Sequence, residues 1–263
     1  MDKRPIGVFD SGMGGLTVVK EIRKLMPGES IIYFGDTGRV PYGNRGTETI
    51  IQYVKQDINF LKSNDIKAIV VACGTASAVA LPAIKDSGVP IIGVVEPTAQ
   101  YALNTTRNGK IGIIGTTATI NSGMYQSLLC DKKGITVYEK ACPLFVPLAE
   151  NGYSNSEVAR LIAKDYLKDI KEKGVDTLIL GCTHYPLLSD AIRDIMGDGV
   201  TLINCGVPTA NYIYNVLKSS DSLSEGVPSH KYYVSDMTEE FVTLARTFLG
   251  DGVEIEKTDI NKY

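Results

Sequence analysis

Two cysteines close apolar runs in the same way. One run reads Ile69-Val70-Val71-Ala72-Cys73-Gly74-Thr75 and the other Leu178-Ile179-Leu180-Gly181-Cys182-Thr183-His184. Each is a β-type run, then a small residue, then Cys, with Thr within two positions. In an open α/β sheet such a Cys sits at the carboxyl end of a strand, where ligands bind. Two thiols delivered this way could face one carbon from opposite sides. That geometry takes a proton off one face and returns it to the other. A loop entering a helix also presents free N–H groups and a positive dipole end. This setting is expected to lower a thiol pKa from about 8.5, giving a thiolate base and a thiol acid. Cys130, Cys142 and Cys205 lack the setting, and read as small buried hydrophobes.

Other reactive groups gather at the same kind of position. Asp10 ends the first apolar run and precedes Ser11-Gly12-Met13-Gly14-Gly15. It could cap a helix, hold a substrate ammonium or tune a neighbouring thiol. The glycines allow a ligand to approach the backbone closely. Their spacing fits neither the P-loop nor the dinucleotide fingerprint, so nucleotide binding is weakly supported. His184, two residues after Cys182, is either a packed histidine or a proton-handling partner of that thiol. Ser11, Thr75, Thr116, Thr117, Thr119 and Thr183 lie at strand ends. Such hydroxyls cap helices or, with helix N-terminal N–H groups, bind a carboxylate. Asp36-Thr-Gly-Arg-Val-Pro-Tyr42-Gly43 forms a loop that could cover a small polar ligand. Asp36 reads as a supporting residue; Glu150 reads by default as a solvated surface side chain, with a supporting role as its alternative.

These residues need strands and helices to hold them. Short β-branched runs fall at 6–9, 31–34, 68–72, 91–95, 110–114, 135–137, 177–180, 201–203, 232–234 and 253–255. Amphipathic segments lie between most of them. In Thr47–Ser63 the apolar positions Ile50, Ile51, Val54, Ile58 and Leu61 recur at helical spacing. Ser154-Asn-Ser-Glu157 reads as a capping box before a helix over 158–171. The alternation predicts an α/β protein with parallel sheets and right-handed crossovers. Gly7-Val-Phe-Asp10-Ser11-Gly12 and Gly112-Ile-Ile-Gly115-Thr116-Thr117 each open a strand–loop–helix unit followed later by a strand ending in Cys. The expected architecture is therefore two similar α/β domains facing each other across an active-site cleft. The first spans 1–97 and 208–263 and carries Asp10 and Cys73; the second spans 98–207 and carries Cys182.

Composition excludes several classes. The chain has 263 residues, 44% hydrophobic and 22% charged, as in a globular protein. A net charge of −3 gives no basic surface for nucleic acid or an anionic membrane. No leader pattern precedes the first strand, and no apolar run approaches about 18 residues. A cytoplasmic location is expected, where thiols stay reduced. Five cysteines without a C-x-x-C pair argue against a disulfide framework, a zinc ribbon and a thiol–disulfide enzyme. No metal site is expected.

Five segments together resemble the glutamate racemase family. They are Gly7-Val-Phe-Asp-Ser-Gly-Met-Gly-Gly-Leu-Thr17, Tyr33-Phe-Gly-Asp-Thr-Gly-Arg-Val-Pro-Tyr-Gly43, Val71-Ala-Cys-Gly-Thr-Ala-Ser77, Gly93-Val-Val-Glu-Pro97 and Leu180-Gly-Cys-Thr-His-Tyr-Pro186. The similarity covers nearly the whole chain. It implies a cofactor-independent racemisation of glutamate with Cys73 and Cys182 as the two acid/base residues. It places Asp10, Ser11, Tyr42, Gly43, Thr75, Thr183 and His184 around the substrate, and Thr116, Thr119 and Glu150 at matching positions. It implies a D-glutamate product destined for peptidoglycan, and a homodimer is expected. One position departs from the family, which usually has Asn after the first cysteine. Here it is Gly74, which offers only a backbone N–H. A lost substrate hydrogen bond costs about 0.5–1.5 kcal/mol, or about 1.5–3 to a charged group. An aspartate racemase with the same two thiols, and a non-catalytic binder of an acidic metabolite, are the competing readings.

Overall fold

The structure, a computed structural model, describes residues 1–84, 88–250 and 253–263. Among the described residues ten parallel strands form two sheets. The first contains β1 (Ile6–Asp10), β2 (Ile31–Gly35), β3 (Ala68–Val71), β4 (Ile91–Gly93), β9 (His230–Val234) and β10 (Ile255–Lys257), in the order β10-β9-β2-β1-β3-β4. The second contains β5 (Lys110–Gly115), β6 (Thr136–Ala141), β7 (Thr177–Leu180) and β8 (Thr201–Asn204), in the order β6-β5-β7-β8. The four strands β2-β1-β3-β4 thus have the same arrangement as the whole second sheet. In each, strand order reverses beside the first strand of the unit. A crevice opens there at the carboxyl ends, between β1 and β3 in one sheet and between β5 and β7 in the other.

Both sheets are covered on both faces, which is why the inner strands β1, β3, β5 and β7 are continuous apolar runs rather than alternating ones. Ile6 and Val8 face α1 (Leu16–Leu25) and α9 (Gly206–Ser219), while Phe9 and Val71 pack with α2 (Thr47–Lys62) on the other side. In the second sheet Leu178 and Leu180 meet α7 (Glu157–Glu172) and α8 (Ser189–Met196). Ile111, Ile113 and Ile179 pack toward α3 (Val95–Thr105) and α5 (Met124–Leu129). The chain leaves the first sheet through α3, which packs on α5, β7 and β8. It returns through α9, which packs on α1, and α3 and α9 touch each other.

Three sequence expectations shift. β6 runs on to Ala141 because it is an edge strand of half-buried residues, and Tyr138, Glu139 and Lys140 hide its period. β4 stops at Gly93, and α3 begins at Val95. The cap of α7 is Ser156, not Ser154: Ser156 Oγ accepts the Ala159 N–H at 3.1 Å. Among the described residues no helix is long and apolar enough to cross a membrane.

Candidate active site

The two crevices face each other, and the strand ends supply the site. Asp10, the last residue of β1, is fully buried. Its Oδ2 accepts the Gly12 N–H at 3.0 Å, and its Oδ1 accepts the Thr183 hydroxyl at 3.1 Å from the second sheet's side. No side chain caps α1, so Asp10 is a bridge between the two halves rather than a cap. Burial raises the Asp10 carboxyl above its ordinary value, and His184, the Gly12 and Gly15 N–H groups and the Thr183 hydroxyl only partly offset this.

Cys73 follows β3 and leads into a π-helical turn at Ala76–Ala80, an irregularity common at functional positions. Its Sγ lies 3.4 Å from Ser11 Oγ and accepts the Ala76 N–H at 3.4 Å. The expected lowering of its pKa is overturned. Burial, then the neighbouring Asp10, pushes the thiol up to about 12, and the Ser11 and Ala76 contacts only partly offset this. A helix terminus cannot lower a thiol that has lost its water and faces a carboxylate.

Cys182 emerges after β7 in the equivalent place. Its Sγ is 3.8 Å from His184 Nδ1. His184 is buried, and its Nε2 makes an ion pair with Glu150 Oε1 at 3.1 Å. Burial opposes the charge on His184, but the contacts with Cys182 and Glu150 outweigh it and hold the imidazolium well above the usual histidine value. The two thiols therefore have different companions: a hydroxyl and an acid beside Cys73, an imidazolium beside Cys182.

Hydroxyls tie the halves together around these groups. Thr75 Oγ1 meets Thr116 Oγ1 at 2.9 Å and Thr119 Oγ1 at 3.3 Å. Thr116 caps α4 (Thr117–Asn121) by accepting the Thr119 N–H at 3.2 Å. Thr117 is the first residue of that helix and does not line the cavity. Three glycines of the first half abut the second where no side chain fits. A Cβ on Gly74 would lie 2.2 Å from the Gly181 carbonyl oxygen. One on Gly14 would lie 2.4 Å from Thr183 Oγ1, and one on Gly43 would lie 2.6 Å from Thr116 Cβ.

A cavity of about 10 Å³ lies between the thiols. Ser11, Tyr42, Gly43, Cys73, Gly74 and Thr75 line it from one side, and Thr116, Cys182, Thr183 and His184 from the other. Asp10 and Thr119 stand just behind this wall. Glu150 lies outside, in a cleft of about 660 Å³ bordered also by Gly12 and Val40. Asp36 does not line the cavity; it is buried and bonded to Tyr42 and Arg39. Of the cysteines read as packing, Cys142 and Cys205 are buried but Cys130 is exposed, at the C-terminal cap of α5. Among the described residues no three His, Cys, Asp or Glu side chains are grouped to hold a metal ion.

Sequence reasoning missed Val146, which also lines the cavity, and Asp57, which holds Tyr42 from behind. Val146 carries no sequence signal. Asp57 does carry one: it falls in the apolar stripe of α2, three residues after Val54 and four before Leu61. An acid in such a stripe is buried and must have partners.

Comparison with known proteins adds an independent observation. A family model described as Asp/Glu/Hydantoin racemase matches residues 7–211. A glutamate racemase from Geobacter metallireducens is 46% identical over 254 residues, covering 95% of this chain and 94% of that protein. The crystal structure of glutamate racemase isoform RacE1 from Bacillus anthracis superposes with a TM-score of 0.94 at 38% identity, covering 98% of each chain. A glutamate racemase from Francisella tularensis, solved in complex with D-glutamate, has a TM-score of 0.92 at 35% identity over 100% of both chains.

Proposed function

Because this chain belongs to the Asp/Glu/hydantoin racemase family, we propose that it interconverts L- and D-glutamate by a two-base proton transfer without a cofactor. The observation that carries this reading is the pair Cys73 and Cys182. They sit at the carboxyl ends of equivalent strands in two similar sheets and line one cavity from opposite sides. One sulfur, as thiolate, takes the α-proton. The other, as thiol, donates its proton to the opposite face of the same carbon. Each turnover leaves the first sulfur protonated and the second ionised, so the reverse reaction starts from the reversed state.

The remaining side chains fit supporting roles. His184 beside Cys182 can hold the proton that this thiol gives or takes, with Glu150 balancing the imidazolium. Asp10 and Ser11 flank Cys73, and Asp10 can receive a substrate ammonium. Thr75, Thr116 and Thr183, with Gly43 and the Gly74 N–H, can bind carboxylates and the charge developing at the α-carbon. Such fixed donors act most strongly where water is excluded. Glutamate is favoured over aspartate by the relatives that share more than two fifths of this sequence along its whole length. The same reading places the enzyme in the cytoplasm, supplying D-glutamate for peptidoglycan. It also makes it a homodimer; the exposed side chains of Leu144, Tyr153, Val158 and Leu161 give a second copy apolar surface to cover.

The test is chiral chromatography of L-glutamate and, in parallel, L-aspartate after incubation with chelator-treated, dialysed protein. Glutamate is expected to racemise and aspartate to remain L. Cys73→Ser and Cys182→Ser should each cost about 10²–10⁴-fold, the usual worth of one positioned acid or base. Full racemisation by either single variant would refute the two-base scheme.

A further inference from the structure

Behind the cavity wall lies a closed group of charges that the two-thiol chemistry does not use. Tyr42 is fully buried, and its ring fills space beneath the Tyr42–Gly43 segment that lines the site. Its hydroxyl oxygen is within hydrogen-bond distance of two carboxylates, Asp36 Oδ2 and Asp57 Oδ2, the latter at 2.9 Å. Both aspartates are fully buried. Arg39 closes the group. Its Nε donates to Asp36 Oδ2 at 2.6 Å and its Nη2 to Asp57 Oδ1 at 3.0 Å, while the guanidinium lies 4.1 Å over the ring of Tyr53.

Counting protons decides the arrangement. A phenol carries one hydrogen and can donate to one acceptor. Two ionised carboxylates cannot both be satisfied by it, and one guanidinium neutralises only one of them. A second, uncompensated buried anion would be costly. Arg39 donates to both acids, but its contact with Asp36 Oδ2 at 2.6 Å is shorter than that with Asp57 Oδ1 at 3.0 Å, and the Tyr42 hydroxyl also lies nearer Asp36, which marks Asp36 as the anion. We propose that Asp57 is a positioning residue of the site: as a neutral acid it donates to Tyr42 Oη, Tyr42 donates to Asp36, and this relay fixes the Tyr42–Gly43 wall. The electrostatics agree, since burial and then the nearby Asp36 raise the Asp57 carboxyl well above the usual range. Gly43 abuts Thr116 with no room for a side chain, so a small tilt of Tyr42 would displace the wall against the other half of the site. The inference rests on the racemase reading, in which that wall touches substrate.

Three measurements on the full-length enzyme test it, with wild-type racemisation of glutamate as the control. Absence of turnover in the wild type would count against the racemase reading; the outcomes below concern Asp57. Asp57→Ala removes the donor and should raise KM for glutamate about fivefold, the worth of one buried hydrogen bond, with kcat little changed. Asp57→Asn keeps a neutral donor in place and should restore KM to near the wild-type value. The infrared spectrum of the wild type at neutral pH should contain a carboxylic-acid C=O band that Asp57→Asn removes, and this arm needs no alanine variant to fold. At alkaline pH the wild-type KM should rise as Asp57 ionises against Asp36 and Asp10, despite Arg39, whereas the KM of Asp57→Asn should not. An unchanged infrared spectrum, an Asp57→Ala KM equal to wild type, or the same alkaline limb in Asp57→Asn would each overturn the assignment.

Discussion

At the level of single residues, the two thiols are made unequal by their neighbours. Cys73 is desolvated against Asp10, and its pKa of about 12 means that almost none is ionised near neutrality. Cys182 has a charged imidazole at its side instead. The His184 charge has a consequence that stability measurements can read. A histidine whose folded pKa lies above its unfolded value of about 6.5 contributes its full stabilisation below that pH. The contribution disappears as the pH climbs through the folded value. The melting temperature of the wild type should therefore exceed that of His184→Gln most at or below about pH 6.5, and the gap should shrink as the pH rises. A gap that widens with pH would mean that His184 is neutral in the folded chain.

At the level of elements, helix starts matter as much as strand ends. Ser156 accepts the Ala159 N–H and opens a 16-residue helix that covers one face of the second sheet. Ser156→Ala should lower unfolding free energy by about 1 kcal/mol, while Ser154→Ala should have little effect; chemical denaturation of both variants checks this. The inner strands were legible because parallel strands buried on both faces are nearly pure β-branched runs, whereas the run at 253–255 meets its strand, β10, only at Ile255. Edge strand β6 was cut short for the opposite reason: one exposed side mixes in polar residues. The cavity residues were legible because strand ends in an α/β sheet are where ligands bind, and Cys73, Thr75, Cys182 and Thr183 stand there. The buried relay behind Tyr42 was not, although Asp57 sits in the apolar stripe of α2. Nor was the direction of the Cys73 shift, because desolvation depends on how the two halves close and not on local sequence.

At the level of the whole molecule, the closure is tight. The space between the thiols is about 10 Å³, room for about one water, and far too small for an amino acid. The halves must part for a substrate to enter. Gly74 permits the tight state, because a Cβ there would overlap the Gly181 carbonyl. Gly74→Asn should wedge the halves apart and remove part of the free energy spent on opening. Glutamate should then bind more tightly by calorimetry, and the melting temperature without glutamate should fall. Weaker binding would show that the tight state is not what limits entry.

The paired crossings set how such parting can occur. The chain passes between the sheets only along α3 and α9, and these two helices lie against each other. The halves are bound like the covers of a book along one spine. Admitting an amino acid therefore need not bend either sheet; it releases the opposite margins, where Gly14 rests on Thr183 and Gly43 on Thr116 and where Asp10 bonds Thr183 and Thr75 bonds Thr116.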